Sequence, residues 1–415
     1  AYDNANQAVA IMARDDTVIV SATGGAAGGG KAGVGAALDT NVLVKQVKAF
    51  VADDTVADAH QADIQAKKDI KVDAVSTENI VSVVAGFAGG GTAGVGGAVG
   101  VGVVDKDVQA YVGKSAKVDT DSNVLINAED DITAVLTAGA GAGGGTAGVG
   151  GSLAVATLLG STRAFVGDEA EVNARGEGEA ASVYSGEPEI SDTDTAPSDF
   201  LAKQKENAKG LSVTAYGREK LINTVVGGAG GGTAGVAATV SANVIANTTE
   251  ASIGRSANIN YDNCGAGAEQ EVWVKAFFET LLIDTAGAGA GGGTAGVGAA
   301  ANVGVVAKTT TAKIGSATTV NAKKAVELTA ASSDLSVTTT AGFAGGGSAG
   351  VGGAVAGVGV DNETKAYIED ATSAANAAKV KVSAGDLILS ADEFSSSWLI
   401  TGAGAGGGAA VVGVS

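Results

Sequence analysis

A glycine triplet set among alanines recurs seven times along the 415 residues, and no other feature restricts the fold as much. The signature reads GGAAGGGKAGVG at 24–35, AGFAGGGTAGVG at 85–96 and AGAGAGGGTAGVG at 138–150. It returns as GGAGGGTAGV at 227–236, AGAGAGGGTAGVG at 286–298, AGFAGGGSAGVG at 341–352 and GAGAGGGAAVVG at 402–413. The triplets open at Gly28, Gly89, Gly143, Gly230, Gly291, Gly345 and Gly406, which are read as structural glycine bends. An apolar-x-apolar-x-Ala run ends 15 residues before each of them, at Ala13, Ala74, Ala128, Ala215, Ala276, Ala330 and Ala391. An Ala-x-Val/Ile motif starts 19 residues after the third glycine, at Ala49, Ala110, Ala164, Ala251, Ala312 and Ala366. All length variation falls between that motif and the next apolar run, where the gaps are 25, 18, 51, 25, 18 and 25 residues. A constant glycine-rich half thus alternates with a half that tolerates insertion. This is the pattern of a rigid repeat scaffold whose loops emerge on one side.

Composition narrows the choice of scaffold. The hydrophobic fraction is 45%, mostly Ala and Val, while aromatics are only 4% and glycines number 66. A core of such small side chains is thin and favours stacked strands. VLINAED at 124–130 and VELTAAS at 326–332 alternate with period two, as strands do. Residues 138–143 alternate Ala and Gly strictly, which puts methyl groups on one face and bare backbone on the other. A bare face admits a second sheet closer than the usual ~10 Å. The triplet is expected to supply positive φ for a sharp bend, after which GVGGSLAVATLL at 148–159 resumes as a second strand. The unit is read as a β-arch, and stacking in register gives each strand two ladder partners at ~4.8 Å.

The expected fold class is therefore all-β, a parallel β-solenoid (β-helix-like) of seven repeats of about 54–61 residues, in one array over 1–415. Whether a repeat forms one wide coil or two to three narrower ones stays open. The chain reads as a fragment of something longer, since no signal peptide opens it and its last residues stop inside a repeat. Residues 174–210, in the fourth repeat region, form a polar acidic insertion holding Pro188 and Pro197, with a short helix expected over 198–209 capped by Ser198. It reads as a tolerated surface excursion rather than a ligand-contacting loop. A membrane array of helices is the competing architecture, because 83–104 carries no charge. Its glycine content, at about 1 kcal/mol per glycine in a helix, argues against it.

The chemistry-bearing residues are few. A net charge of −19 disfavours nucleic acid and anionic membrane. Cys264 is the only cysteine, so no disulfide framework exists, and His60 is the only histidine, so neither a triad nor a zinc site follows. Lys31 is followed by Ala32, where a phosphate loop needs Ser or Thr. No acid interrupts the glycine signatures as calcium-binding coils require, and Asp15/Asp16, Asp53/Asp54 and Asp130/Asp131 read as solvated turn residues. Trp273, Phe277 and Phe278 read as plugs inside a wider coil rather than a sugar-stacking platform. No catalytic, cofactor or metal residue is assigned.

AYVGKSAKVDT at 110–120, INAEDDITAVLTAGAGAGGGTAGVGG at 126–151 and their copies resemble very large bacterial surface proteins, the haemagglutinin-like adhesins and autotransporter passengers. The resemblance covers the chain apart from 174–210. It implies export across the outer membrane, a parallel β-solenoid shaft, and roles in attachment, aggregation or biofilm. The 54–61-residue spacing departs from the shorter coils of filamentous haemagglutinins, and no functional residue carries over. The expected function is a non-catalytic shaft or adhesive segment of an extracellular fibre on the bacterial cell surface. Its partners would be a host or bacterial surface ligand, protein or glycan, or copies of itself. The alternatives are a self-assembling filament subunit and a carbohydrate-active β-helix enzyme whose acids lie in 187–199.

Overall fold

Alternation sustained over 20 or more residues produces strands far longer than the usual five or six. In the computed structural model, which describes residues 6–53, 62–184 and 205–415, each of the first six repeats is one coil of three strands, and the seventh supplies two strands. A long strand runs to the second glycine of the triplet, the chain bends over two residues, and a second long strand runs back beside it. A short third strand then closes the coil. One coil per repeat settles the question that spacing left open.

Three parallel sheets result. The first long sheet stacks Val9–Gly29, Ile70–Gly90, Val124–Gly144, Gly210–Gly231, Glu271–Gly292, Ala325–Gly346 and Asp386–Gly406, in sequence order. The second stacks Ala32–Val51, Ala93–Val112, Ala147–Val166, Ala234–Ile253, Ala295–Ile314, Ala349–Ile368 and Ala410–Val414. The short sheet holds Asp63–Ala66, Lys117–Thr120, Glu171–Ala174, Asn258–Ile259, Thr319–Ala322 and Lys379–Val382. Register is continuous across the coils. Ala13 pairs with Ala74, Ala74 with Ala128, Ala128 with Ala215, Ala215 with Ala276, Ala276 with Ala330 and Ala330 with Ala391.

The cross-section is a triangle drawn out into a wing. At the base all three sheets meet around Ala110, Val112, Val118, Val124, Ile126 and Ala128, which are fully buried, with equivalent residues above and below. Beyond the base only the two long sheets remain, face to face as far as the glycine bend. Strands of 20–22 residues at ~3.3 Å each span roughly 70 Å, whereas seven coils at ~4.8 Å stack to about 34 Å. The seven repeats form a slab wider than it is tall. No helix is long and apolar enough to cross a membrane among the described residues.

The insertion differs from its expected form. Ala181–Tyr184 and Lys205–Ala208 pair as an antiparallel hairpin, so a strand stands where the end of the 198–209 helix was expected. Residues 198–204 and the acids of 187–199 lie outside the described residues. The hairpin packs Ala181, Val183 and Ala208 over Leu125 and Trp273 on the outer face of the first long sheet.

Candidate functional site

The seam at the wing tip shows what the glycines do. Gly28, Gly89, Gly143, Gly230, Gly291, Gly345 and Gly406 lie in the long strands and face outward, with open space where a side chain would go. The bend itself falls on the third glycine and its successor, such as Gly30 and Lys31. The second and third glycines are the constrained ones: a methyl group on Gly91, Gly145, Gly232, Gly293 or Gly347 would lie 2.1–2.2 Å from the carbonyl oxygen of the third glycine in the preceding coil. A methyl group on Gly29, Gly90, Gly144, Gly231 or Gly346 would lie 1.9 Å from the carbonyl oxygen of the facing Ala32, Ala93, Ala147, Ala234 or Ala349. One α-hydrogen of each points at that oxygen, the geometry of a Cα–H···O contact. The expectation of positive φ is corrected: among the described glycines only Gly176, Gly210 and Gly265 have it. The triplet is selected by close approach of backbones, since none of its glycines takes a left-handed conformation.

Between base and tip the sheets enclose two polar rows. Lys106 shares its parity with Val104, Val108 and Ala110, so it points inward. Its Nζ lies 2.7 Å from Asp130, 3.7 Å from Glu78 and 3.8 Å from Glu219, all of them buried. Lys45 of the first coil reaches Asp15 and Glu78, the latter at 2.7 Å. Lys308 pairs with Asp334 in the fifth and sixth coils. Burial pulls the Lys106 ammonium down, but Asp130, Glu219 and Glu78 outweigh it and hold the group above its ordinary value. Burial, with Glu78 and Glu219 nearby, pushes Asp130 up to about 7 against the pull of Lys106. Burial likewise raises Glu219, and it lowers Lys308 despite Asp334.

The second row lies nearer the tip. Asp39 accepts hydrogen bonds from Ser21 and Ser82, both at 2.5 Å, and from Asn41 at 2.9 Å. Burial would raise its pKa, but these donors carry it below the ordinary value. Asp284 accepts from Ser241 at 2.7 Å and from Asn243, yet deeper burial pushes it up to about 6. An aliphatic layer of Ile80, Val104, Ile132, Leu158, Leu221, Ile245, Leu282 and Val306 separates the rows.

These placements revise the reading of the acids. Asp15/Asp16 and Asp130/Asp131 sit within long strands rather than solvated turns. One of each pair faces inward to a lysine and the other outward to an arginine, as Asp16 does to Arg14 and Asp131 to Arg218. Asp53 does lie at a turn, where its Oδ1 accepts the Lys114 backbone N–H at 2.8 Å in the next coil. Asp54 and His60 lie outside the described residues. Cys264 is exposed and unpaired with any cysteine. Trp273 is buried, but under the hairpin on the outer face and not inside the coil; Phe277 also faces outward, and only Phe278 points in.

Besides a cleft of about 550 Å³ that runs past Asn247, Lys308, Asp361 and Glu363, two surface clefts among the described residues have polar linings. One, of about 190 Å³, lies where the hairpin meets the first sheet and is lined by Asn127, Glu129, Ser182, Tyr184, Lys205 and Thr214 among others. Tyr184 stacks on Tyr216 and donates to Glu129 at 2.6 Å, so these groups already serve the hairpin contact. The other, of about 380 Å³, follows the base turns past Asp53, Arg163, Asp168, Arg255 and Glu369. There Arg255 grips Glu369 with two hydrogen bonds of 2.6 and 2.7 Å, and Asp168 accepts the Arg255 backbone N–H. Each acid in this turn cleft ties one coil to another. Among the described residues no group of three His, Cys, Asp or Glu is placed to hold a metal ion. The three carboxylates that do converge, Glu78, Asp130 and Glu219, surround the Lys106 ammonium, which takes the place of a cation. No protein-family model, curated protein or solved structure matches the chain.

Proposed function

We propose that the chain is a non-catalytic, load-bearing shaft segment of a secreted bacterial cell-surface fibre. The observation that carries this reading is the unbroken register of the long sheets. Every strand column continues from coil to coil, so pulling along the stack loads all the ladders together. The ionic groups support it too, since they link coils. Lys106 binds acids from the second, third and fourth coils, and Arg255 spans from the fourth to the sixth.

The test is immunogold labelling of intact source cells with antibody against this chain. Gold on extracellular fibres, removed by external protease, is the expected result. Label that appears only after lysis would overturn the reading.

A further inference from the structure

The outer face of the second long sheet carries an apolar surface that nothing in the shaft reading uses. We infer that it is a self-association face, on which a second copy of this chain docks symmetrically. The inference rests on this face and not on the proposed cellular role.

The outward positions run in columns through the stacked coils. One column is Val34, Val95, Val149, Val236, Val297 and Val351. Two residues along the strands comes Ala36, Gly97, Gly151, Ala238, Ala299 and Gly353, and then Leu38, Val99, Leu153, Val240, Ala301 and Val355. Thr40, Val101, Val155, Ala242, Val303 and Gly357 follow, and then Val42, Val103, Thr157, Val244, Val305 and Gly359. No charged residue occurs in any of these columns, in a protein with 17% charged residues. Val42, Val303 and Val355 are 52–65% exposed.

Area selects the occupant. Columns at ~6.6 Å and coils at ~4.8 Å give a flat apolar field of roughly 900 Å². That exceeds the few hundred Å² at which exposed apolar patches on monomers level off. It matches the ~800 Å² per partner of a stable symmetric pair. Small β-branched and alanine side chains on a regular sheet are the surface that interdigitates with its own copy. Toward the base the field is edged first by the acids Asp105 and Asp361, and beyond them by charges of both signs, Lys48, Arg163 and Lys313 beside Asp107 and Glu250. A mixed rim is compatible with itself, and it offers no basic belt to an anionic bilayer. The first long sheet lacks this evenness. Phe87 and Phe343 protrude there, 55–57% exposed, over Gly141 and Gly404 of the next coils, and the hairpin covers its base.

The experiment is sedimentation velocity of the whole chain over a wide concentration range. A reversible dimer is expected. A Val240→Lys/Val303→Lys double variant should weaken it by about tenfold or more, whereas Val226→Lys on the first sheet should leave it unchanged. Far-UV circular dichroism and urea midpoints check that each variant is folded, and Val240→Thr/Val303→Thr, of nearly the same shape, gives a milder version of the same loss. A chain that is monomeric throughout, or one dissociated equally by Val226→Lys, would overturn the inference. So would a monomeric chain that sediments with phosphatidylcholine vesicles and loses that binding in the double lysine variant, since the face would then be lipid-seeking.

Discussion

At the residue scale the glycine triplets divide into positions with opposite tolerances. Gly143 faces outward into open space, while Gly144 presses on the Ala147 carbonyl oxygen at a distance no methyl group can share. Gly143→Ala should therefore leave stability within about 1 kcal/mol of the parent, through loss of unfolded-state freedom against any small strand effect. Gly144→Ala forces two backbones apart and should cost at least ~3 kcal/mol, as other severe core overpacking does. Urea denaturation of the pair reads the contrast directly, and equal effects would contradict the close-approach account. The base turns carry a second local signature. Ser115, Glu169, Ser256 and Ala317 hold φ between 57° and 60° at equivalent turn positions, a conformation costly for a residue with a Cβ. Ala317→Gly should stabilise the protein by about 0.5–1 kcal/mol, read as a raised urea midpoint.

At the element scale the enclosed charges set the pH response. Asp130 is pushed up to about 7 and Asp284 to about 6, both chiefly by burial, from an ordinary carboxylate value near 4. Between roughly pH 4 and 7 the folded chain therefore binds more protons than the unfolded one, so these groups make stability fall as pH rises. Glu369, held down to about 2 by its hydrogen bonds to Arg255, works in the opposite sense, but only below its unfolded value of about 4.5. Thermal unfolding should thus show a higher Tm at pH 5 than at pH 8. Lys106→Met leaves Asp130 and Glu219 without their nearest cation, while Glu78 keeps Lys45, and should cost about 3–5 kcal/mol near pH 8, with part of the loss recovered at pH 5. A Tm that falls from pH 8 to 5 in the parent would contradict the buried row. Sequence reasoning missed this row, although a signal was present. In Val104-Asp105-Lys106-Asp107-Val108 the lysine shares the parity of the apolar residues. Reading parity through the charged stretches would have placed it inside.

At the scale of the whole molecule, the repeat and its sheet character were legible because period and alternation are properties of the chain itself. The columns ending at Ala74 and Ala128 became ladder neighbours as their spacing implied. What could not be read was the coil number, which depends on strand length. Val83-Val84-Ala85-Gly86 continues one strand from Ile70 to Gly90 with no turn residue to break it, but glycine-rich stretches look like turns when read locally. The hairpin over Trp273 was equally hidden, since its two strands are separated by a long segment and its partner face belongs to other coils. Removing the hairpin should uncover Trp273 and red-shift the tryptophan emission, while circular dichroism keeps its β signature. The central claim is that each repeat is one coil stacked in register, and a spin-label distance tests it most directly. Asn79 and Ser396 share an outward column through Thr133, Lys220, Leu281 and Leu335. With labels at these two sites in a Cys264→Ser background, five spacings of ~4.8 Å predict a narrow distribution near 24 Å. A distance of about 48 Å or more would mean two or more coils per repeat and would contradict the account.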